Sequence, residues 1–438
     1  MLVDKLLSLF FIILQTDFFS STLLPVGYYK FESYHRKLFS LALIVVWIIW
    51  KMIVGLSSDS NFKPRRLKNR FFSVFLFLYV LWLFASIVFT KLTYNVSVID
   101  LIISYYYMFI PVLLVFLCSL LDKATLVFSL RWIPFISLIY CGLLILQSLL
   151  WSSGRIILGL ANTYVREGTG VSILGPFLRI VEASDFVAFA FFITLLVMMR
   201  FKRLRIVYSL IAFVELFTLF FVARTRMFEL ICLVILVLWF VLQSKRFSKG
   251  VWLVLLTVLV IVGVASVPVI NDAFGFTTGD RASSFTIRIE ELRYFADQLF
   301  NSPIFGIGFL PNNEAFFSLL HGPFTTFSPY LYYLDDLGVF GSIVQFGLPF
   351  IVLLLLLCSA IFKRVIQHID FLTVGSAAFI LLMFPTLSPF NAARCVIFGL
   401  LCCLLFFHWD EDPDNMAGTS LNTPGNHLKM EITNEDHS

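Results

Sequence analysis

The sequence predicts an all-α polytopic membrane protein, and three observations support that prediction. Of its 438 residues, 60% are hydrophobic and only 13% are charged, whereas soluble globular proteins carry about 25% charged residues. Several apolar runs are long enough to cross a hydrocarbon core of about 30 Å as helices. These runs do not alternate apolar and polar residues, which excludes the strands of a transmembrane β-barrel.

The apolar runs predict about twelve transmembrane helices. The first run contains Gln15 and Asp17 and has no small-residue cleavage site, so we interpret it as a retained span and not as a signal peptide. The seven cysteines lie in or beside apolar runs without CxxC spacing, which is typical of small buried hydrophobes. The predicted spans are 6–27, 38–55, 71–89, 99–121, 133–152, 182–199, 204–222, 227–243, 251–270, 336–362, 371–387 and 394–408.

Lysine and arginine clusters orient these spans. Dense basic clusters occur in alternate loops, at 62–70, 200–205, 244–250 and 363–364, and basic loops face the cytoplasm. The net charge of +5 is explained by this bias and does not indicate a nucleic-acid partner. Both termini are then cytoplasmic. Residues 1–409 form the membrane domain, and the polar tail 410–438 is predicted to be a disordered cytoplasmic segment.

One large polar loop, residues 271–335, is predicted on the outer face between the ninth and tenth spans. Apolar residues within 286–300 recur with helical spacing and predict an amphipathic helix. Such a helix could also simply lie on the membrane with a solvated charged face. Pro303, Gly306 and Gly308 then predict a sharp turn. The predicted buried stripe of the helix includes Ile287, Leu292, Phe295, Leu299 and Phe300.

The basic residues of the outer face from residue 150 onward are all arginine. Arginine offers a planar fork that binds phosphate or carboxylate through two bonds, which lysine cannot do. This pattern favours an anionic ligand such as a diphosphate or an acidic sugar; the alternative is chance together with pairing to lipid head groups. The arginines are Arg155, Arg166, Arg179, Arg224, Arg226, Arg281, Arg288, Arg293 and Arg394.

Arg224-Thr225-Arg226 forms the short turn between two predicted spans. Charges at the end of a span are costly unless they are paired or hydrated. Two arginines separated by one residue could clamp two oxygens of one phosphate group, and the alternative is that they only anchor the turn at the membrane surface.

Carboxylates in the outer loops are candidates for a catalytic base, and the residues alone do not select one of them. Glu182 and Asp185 would lie one helical turn apart at the mouth of a span, which is a costly position and therefore a functional hint. Asp336 could instead only hold the loop to the span. The candidates are Glu167, Glu182, Asp185, Asp280, Glu290, Glu291, Asp297, Glu314, Asp335 and Asp336.

The order of these motifs resembles the C-terminal half of the O-antigen ligase and polymerase superfamily. Arg288 precedes the P-x-x-G-x-G turn at 303–308, and Asp336 stands two residues before the G-x-x-G of 338–341. The turn at 224–226 resembles one that these proteins carry before a late span. The resemblance covers about residues 160–365, and its specificity comes from the order and spacing of the motifs together.

The resemblance implies a GT-C-type glycosyltransferase of the bacterial inner membrane that uses neither metal nor nucleotide sugar. It would move a glycan from undecaprenyl diphosphate to an acceptor at the periplasmic face, among membrane lipids and beside a flippase and a chain-length regulator. The candidate catalytic residues are Arg288, Asp336, Glu182 and His321. The candidate diphosphate-binding residues are Arg224, Arg226, Arg281, Arg293, Arg166 and Arg179.

One departure from the family pattern favours a polymerase. The ligases carry a histidine nine residues before the acidic position, followed by Asn, Ser or Gln. Phe327 and Ser328 occupy those places, and His321 lies six residues earlier. A ligase remains an alternative only through His321. A lipid-linked oligosaccharide flippase is a further alternative, but the chain shows no internal repeat and its polar residues collect on one face.

Overall fold

The structure is a computed structural model. The ninth predicted span, 251–270, and the predicted tail from 410 lie outside the residues that it describes. The described residues are 2–16, 33–57, 67, 69–153, 155, 157–158, 173–174, 176–180, 184–243, 282–323 and 331–407.

The described chain is almost entirely helical, and each predicted span outside 251–270 contains a helix. A two-residue antiparallel hairpin, β1 (Ile173–Leu174) with β2 (Phe177–Leu178), is a small addition that the sequence does not predict. The helices up to the middle of the chain are α1 (Leu2–Ile13), α2 (Ser33–Ser57), α3 (Arg70–Tyr94), α4 (Val98–Tyr105), α5 (Ile110–Leu120), α6 (Lys123–Leu150), α7 (Ser184–Arg200), α8 (Arg205–Phe217) and α9 (Arg226–Gln243). The remaining helices are α10 (Ala282–Asn301), α11 (Phe317–His321), α12 (Gly338–Phe346), α13 (Phe350–Gln367), α14 (Phe371–Met383) and α15 (Cys395–Phe406).

Within the described residues, seven helical stretches are long and apolar enough to cross a membrane, and two shorter apolar helices accompany them. This confirms the predicted class, an all-α polytopic membrane protein, while the total of about twelve spans stays a prediction. The seven stretches are Lys37–Gly55, Arg70–Tyr94, Val98–Leu120, Lys123–Ser153, Arg205–Ala223, Arg226–Gln243 and Phe350–Gln367. The shorter helices are Phe371–Met383 and Cys395–Phe406.

The bundle has a buried centre and an apolar outer surface. Helices α7, α14 and α15 are buried on nearly all sides. Helices α3 and α8 instead expose large side chains, among them Phe77 at 65% and Phe213 at 67%. A water-soluble monomer rarely exposes so continuous an apolar surface. This surface is suited to contact the hydrocarbon core of a membrane.

The predicted tenth span, 336–362, is wrong at its start. It is two helices, α12 and α13, separated at Gly347. Gly347 has a φ of +84°, which ends α12, and Pro349 directly precedes α13. The predicted span is therefore not one continuous helix, and of the two helices only α13 is long and apolar enough to cross a membrane.

The described part of the loop, from Ala282 to Phe346, folds into a cap with its own hydrophobic core. The 3₁₀ turn Leu334–Leu337 and α12 pack against α10 within this cap. The core residues are Phe295, Leu299, Ile307, Leu310, Leu320, Tyr332, Leu337 and Val344.

The predicted apolar stripe of α10 is only partly correct. Phe295 and Leu299 are buried as expected, but Leu292 and Phe300 are exposed. The buried line instead follows i,i+4 spacing and continues back to Glu291, which is 1% exposed. Leu292 and Phe300 lie about 100° and 180° around the helix from Glu291, because each residue advances the helix by about 100°.

The turn after α10 anchors the cap to the bundle. Gly306 has a φ of +62°, and a Cβ at this position would overlap the Val344 carbonyl oxygen. The next residue, Ile307, donates its N–H to that oxygen at 3.0 Å. Phe309 N–H donates to Thr90 Oγ1 on α3 at 2.9 Å. The P-x-x-G-x-G motif thus fixes the cap on the helices below it.

Candidate functional site

A buried ion pair lies at the end of the bundle that the cap covers. Arg394 Nε lies 3.2 Å from Asp185 Oδ1, and each side chain is 15% exposed. Asp185 is in the first turn of α7, and Arg394 directly precedes α15. The pair therefore connects the first turn of α7 to the residue that precedes α15.

The same arginine also faces the cap. Asp335 lies within electrostatic range of Arg394 and is hydrogen-bonded to the Asn391 side chain. Asp335 remains open to solvent, yet the surrounding protein raises its pKa, Asp336 and Asp185 raise it further, and Arg394 opposes the increase. Asp335 lines a polar cleft together with Tyr107, Leu334, Ser342, Gln345, Ser388 and Asn391.

The predicted arginine turn lies beside this ion pair. A π-helix, Thr218–Ala223, extends α8, and Arg224 then adopts a left-handed conformation with a φ of +53°. This conformation is uncommon outside glycine, asparagine and aspartate. Thr225 Oγ1 donates to Ser184 Oγ at 3.0 Å, next to Asp185. The turn is therefore fixed against the start of α7.

Two of the predicted diphosphate-binding residues, Arg179 and Arg224, lie close together. Ile180 N–H donates to the Val222 carbonyl oxygen at 2.9 Å, which places the segment after β2 beside the turn. Both arginines lie within electrostatic range of Glu229 in the first turn of α9. Residues more than forty positions apart in sequence thereby form one cationic group with a carboxylate at its edge.

Glu291 is a buried carboxylate within the cap. Tyr333 N–H donates to Glu291 Oε1 at 3.1 Å, and Oε2 is buried without a hydrogen-bond partner among the described residues. Burial raises the pKa of Glu291 to about 7, and Asp336 adds to the increase. The Tyr333 N–H and Arg288, one helical turn earlier, oppose it.

His321 packs against Tyr333, whose N–H binds Glu291, and is held on both sides of its ring. Its Nδ1 lies 3.0 Å from the Tyr332 carbonyl oxygen, and its Nε2 lies 3.3 Å from Asn312 Oδ1. The ring packs against Tyr333 with centroids 5.4 Å apart. Both ring nitrogens are therefore engaged within the cap.

These groups form one polar band across the end of the bundle. Each member of the band contacts the next member or lies within its electrostatic range. The order across the bundle is Glu291, Asp336, Asp335, Arg394, Asp185 and then the turn with Arg224 and Arg179. Ser184 and Thr225 make the hydroxyl link beside Asp185. The first turns of α7 and α9 and the N-terminus of α15 lie along the band, so their dipoles favour negative charge there.

The structure places some predicted site residues in this band and not others. Arg288 is half-buried on α10, Asp336 is exposed beside Glu291, and Arg226 begins α9. Arg293 is exposed on the solvent side of α10. Arg166, Glu182 and Arg281 lie outside the described residues, so their roles stay predictions.

The sequence reasoning did not select Glu291, Asp335 or Arg394 as site residues. Arg394 and the two carboxylates occurred only among many candidates of the same type. For Glu291 a signal was present, because it lies on the i,i+4 line of Phe295 and Leu299. A charged residue on the buried line of an amphipathic helix is an exception that points to a partner or a function.

The fold and the band define a polytopic membrane protein with an arginine-bearing polar site at one end of its bundle. Residues 211–346 match the model of the O-antigen ligase family. The match runs from α8 through α12 and contains Arg224, Glu291 and the glycine turn. It confirms the resemblance to the O-antigen ligase and polymerase superfamily and supports a membrane enzyme of that ligase or polymerase type. No curated protein matches the chain.

Proposed function

We propose that the protein is a glycosyltransferase that polymerises oligosaccharide repeat units linked to undecaprenyl diphosphate. It transfers the growing glycan from its lipid diphosphate to the non-reducing end of another lipid-linked unit. The protein lies in the bacterial inner membrane, with the polar band at the periplasmic face. The observation that carries this proposal is the convergence of arginines from separate segments on one polar band, to which the segment that matches the family contributes Arg224.

The arginine group at the turn is suited to hold the diphosphate. Arg179 and Arg224 offer planar forks that bind phosphate oxygens through two bonds. Leaving-group departure adds negative charge to the diphosphate, and fixed cations stabilise that charge without reorganisation. Arg394 and the helix N-termini extend the positive potential along the band toward Arg288.

The histidine position favours a polymerase over a ligase. Phe327 occupies the place of the ligase histidine, and a phenyl ring cannot accept a proton. His321, which could replace it, has both ring nitrogens engaged by Tyr332 and Asn312. The acceptor is accordingly another lipid-linked repeat unit and not the lipid A-core.

The test uses purified protein in liposomes with a synthetic undecaprenyl-diphosphate repeat unit. A ladder of products that each differ by one repeat unit supports the proposal. A lipid A-core acceptor is added in a parallel reaction, and transfer to that acceptor with no ladder would establish the ligase alternative. Movement of the lipid between leaflets with no new glycosidic bond would exclude both enzyme functions.

A further inference from the structure

We propose that Glu291 is the general base that removes the proton from the acceptor hydroxyl. This inference rests on the proposed glycosyl transfer and names a residue that the family motifs do not assign. The motifs point to Arg288 and Asp336, whereas Glu291 lies between them in the folded cap. It fills the functional place left by the absent ligase histidine.

The geometry of Glu291 suits proton transfer at a single oxygen. Oε1 is fixed by the Tyr333 N–H at 3.1 Å, so the carboxylate cannot rotate freely. Oε2 is buried and has no hydrogen-bond partner among the described residues. A buried carboxylate oxygen without a partner is unstable unless a ligand supplies a donor, and a sugar hydroxyl is such a donor.

Two other carboxylates of the band, Asp185 and Asp335, have protein partners, as does the neighbouring Glu290. Asp185 is paired with Arg394 at 3.2 Å. Asp335 is hydrogen-bonded to Asn391 and also faces Arg394. Glu290 accepts a hydrogen bond from Tyr332 Oη at 3.3 Å on the other side of the helix turn. These three carboxylates are engaged by cations or hydrogen-bond donors of the protein, whereas Glu291 Oε2 has no hydrogen-bond partner among the described residues.

Glu291 also lies in the polar band that carries the arginines. Arg288 lies one turn before it on the same helix and acts on its charge. An acceptor hydroxyl at Oε2 would lie in the same polar band as the donor diphosphate held by Arg179 and Arg224. Burial places the pKa of Glu291 at about 7, and a base is most effective when its pKa is near the working pH.

The proposed step is balanced without a further reactant. The acceptor O–H bond breaks and its proton passes to Glu291 Oε2, while the acceptor oxygen forms a bond to the anomeric carbon of the donor. The bond from that carbon to the diphosphate oxygen breaks, and its electron pair leaves with the lipid diphosphate. Glu291 ends as a carboxylic acid and returns its proton to water before the next cycle.

The test is Glu291→Gln, which keeps the shape of the side chain and removes the base. We expect kcat for ladder formation to fall by about 10²- to 10⁴-fold with the donor KM within threefold of wild type. Asp100→Asn, at an exposed carboxylate in the first turn of α4, is the control and should keep wild-type rates. A Glu291→Gln rate within threefold of wild type would overturn the proposal while leaving the polymerase function intact.

A pH profile separates a base from a residue that only stabilises the cap. The ionisable groups that face Glu291 are Arg288 on its own helix and Asp336 on the adjoining 3₁₀ turn, with His321 one ring away behind Tyr333. Wild-type kcat/KM should rise with pH through about 7, as Glu291 loses its proton, and Glu291→Gln should lose that inflection. An inflection that persists in Glu291→Gln, or a rise in donor KM that accounts for the whole loss, overturns the assignment. Wild-type protein that forms no glycosidic bond overturns the proposed function itself.

Discussion

The chemistry of the site depends on a few residues whose partners lie far away in sequence. Glu291 is bonded by Tyr333, and Asp185 is paired with Arg394, at separations of 42 and 209 positions. Residue type and spacing singled out Arg224, because paired arginines at the end of a span are unusual in an apolar chain, and the family motif singled out Arg288. They could not select Glu291 among many carboxylates, because its burial is created by the cap folding over it.

Arg224 is predicted to bind the diphosphate through its planar fork. Arg224→Ala should lower kcat/KM for ladder formation by about 10²- to 10³-fold, the typical loss when one charge-stabilising donor is removed. Arg224→Lys should fall between this variant and wild type, because it keeps the charge without the fork. Lys91→Ala, an exposed cation on α3, is the control; equal rates for Arg224→Ala and this control would exclude the clamp.

The Asp185–Arg394 ion pair is predicted to hold the central helices together. Arg394→Gln should lower the free energy of unfolding by about 3 kcal/mol, because it leaves a largely buried carboxylate uncompensated. Adding Asp185→Asn to this variant should restore part of the loss. Thermal unfolding in detergent measures both changes, and an unchanged midpoint in Arg394→Gln would show that the pair adds nothing to stability.

Burial of Glu291, unlike the Asp185–Arg394 ion pair, is predicted to destabilise the folded protein when the carboxylate is ionised. Its folded-state pKa of about 7 lies above its ordinary value of 4.5, so the folded protein binds the proton more tightly than the unfolded chain. The stabilisation from this proton is complete below pH about 4.5 and is lost as the pH rises through 7. Glu291→Gln should therefore raise the unfolding midpoint at pH 8 and change it little at pH 5, and a lower midpoint at pH 8 would contradict the burial assigned to Glu291.

At the scale of elements, hydropathy found the helices but not the break between α12 and α13. The run 336–362 is apolar throughout, and hydropathy does not distinguish a cap helix from the span that follows it. Only Gly347 and Pro349 mark the break. The glycines of the G-x-x-G motif are explained by close approach, because a Cβ at Gly341 would overlap the Leu334 carbonyl oxygen.

Gly341→Ala is predicted to disrupt the cap. The added methyl group must displace the backbone at Leu334, at the start of the 3₁₀ turn that carries Asp335 and Asp336. Ladder formation should fall at least tenfold, and the unfolding midpoint should decrease. Gly142→Ala is the matched control, because no heavy atom lies within 4 Å of its added Cβ. It should be neutral or stabilising by up to about 1 kcal/mol, and equal behaviour of the two variants would contradict this packing.

At the scale of the whole molecule, the band and two of the basic clusters, 200–205 and 363–364, lie at opposite ends of the central helices α7 and α15. Helix α7 runs from Asp185 at the band to Arg200, which belongs to a predicted cytoplasmic cluster. Arg364, in another cluster, donates to the Leu405 carbonyl oxygen at the far end of α15 from Arg394. Charge bias along the sequence was enough to predict this polarity, whereas the folded cap required the contacts between distant segments.

The predicted topology can be checked by cysteine labelling in intact cells. The seven native cysteines are buried or half-buried, so background labelling by a membrane-impermeant maleimide should be low. Ala315→Cys in the cap should react from outside the inner membrane, and Gln367→Cys after α13 should react only once the membrane is opened. The reverse pattern would place the band in the cytoplasm and contradict the proposed periplasmic reaction.

The central claim is that the arginine-bearing band supports glycosyl transfer from a lipid diphosphate. The most direct measurement counts glycosidic bonds formed and lipid diphosphate released by the purified protein in liposomes that contain a synthetic undecaprenyl-diphosphate repeat unit. We expect one released lipid diphosphate for each new bond, with both lost together in Arg224→Ala. Transfer of the lipid across the bilayer with neither bond formation nor diphosphate release would contradict it.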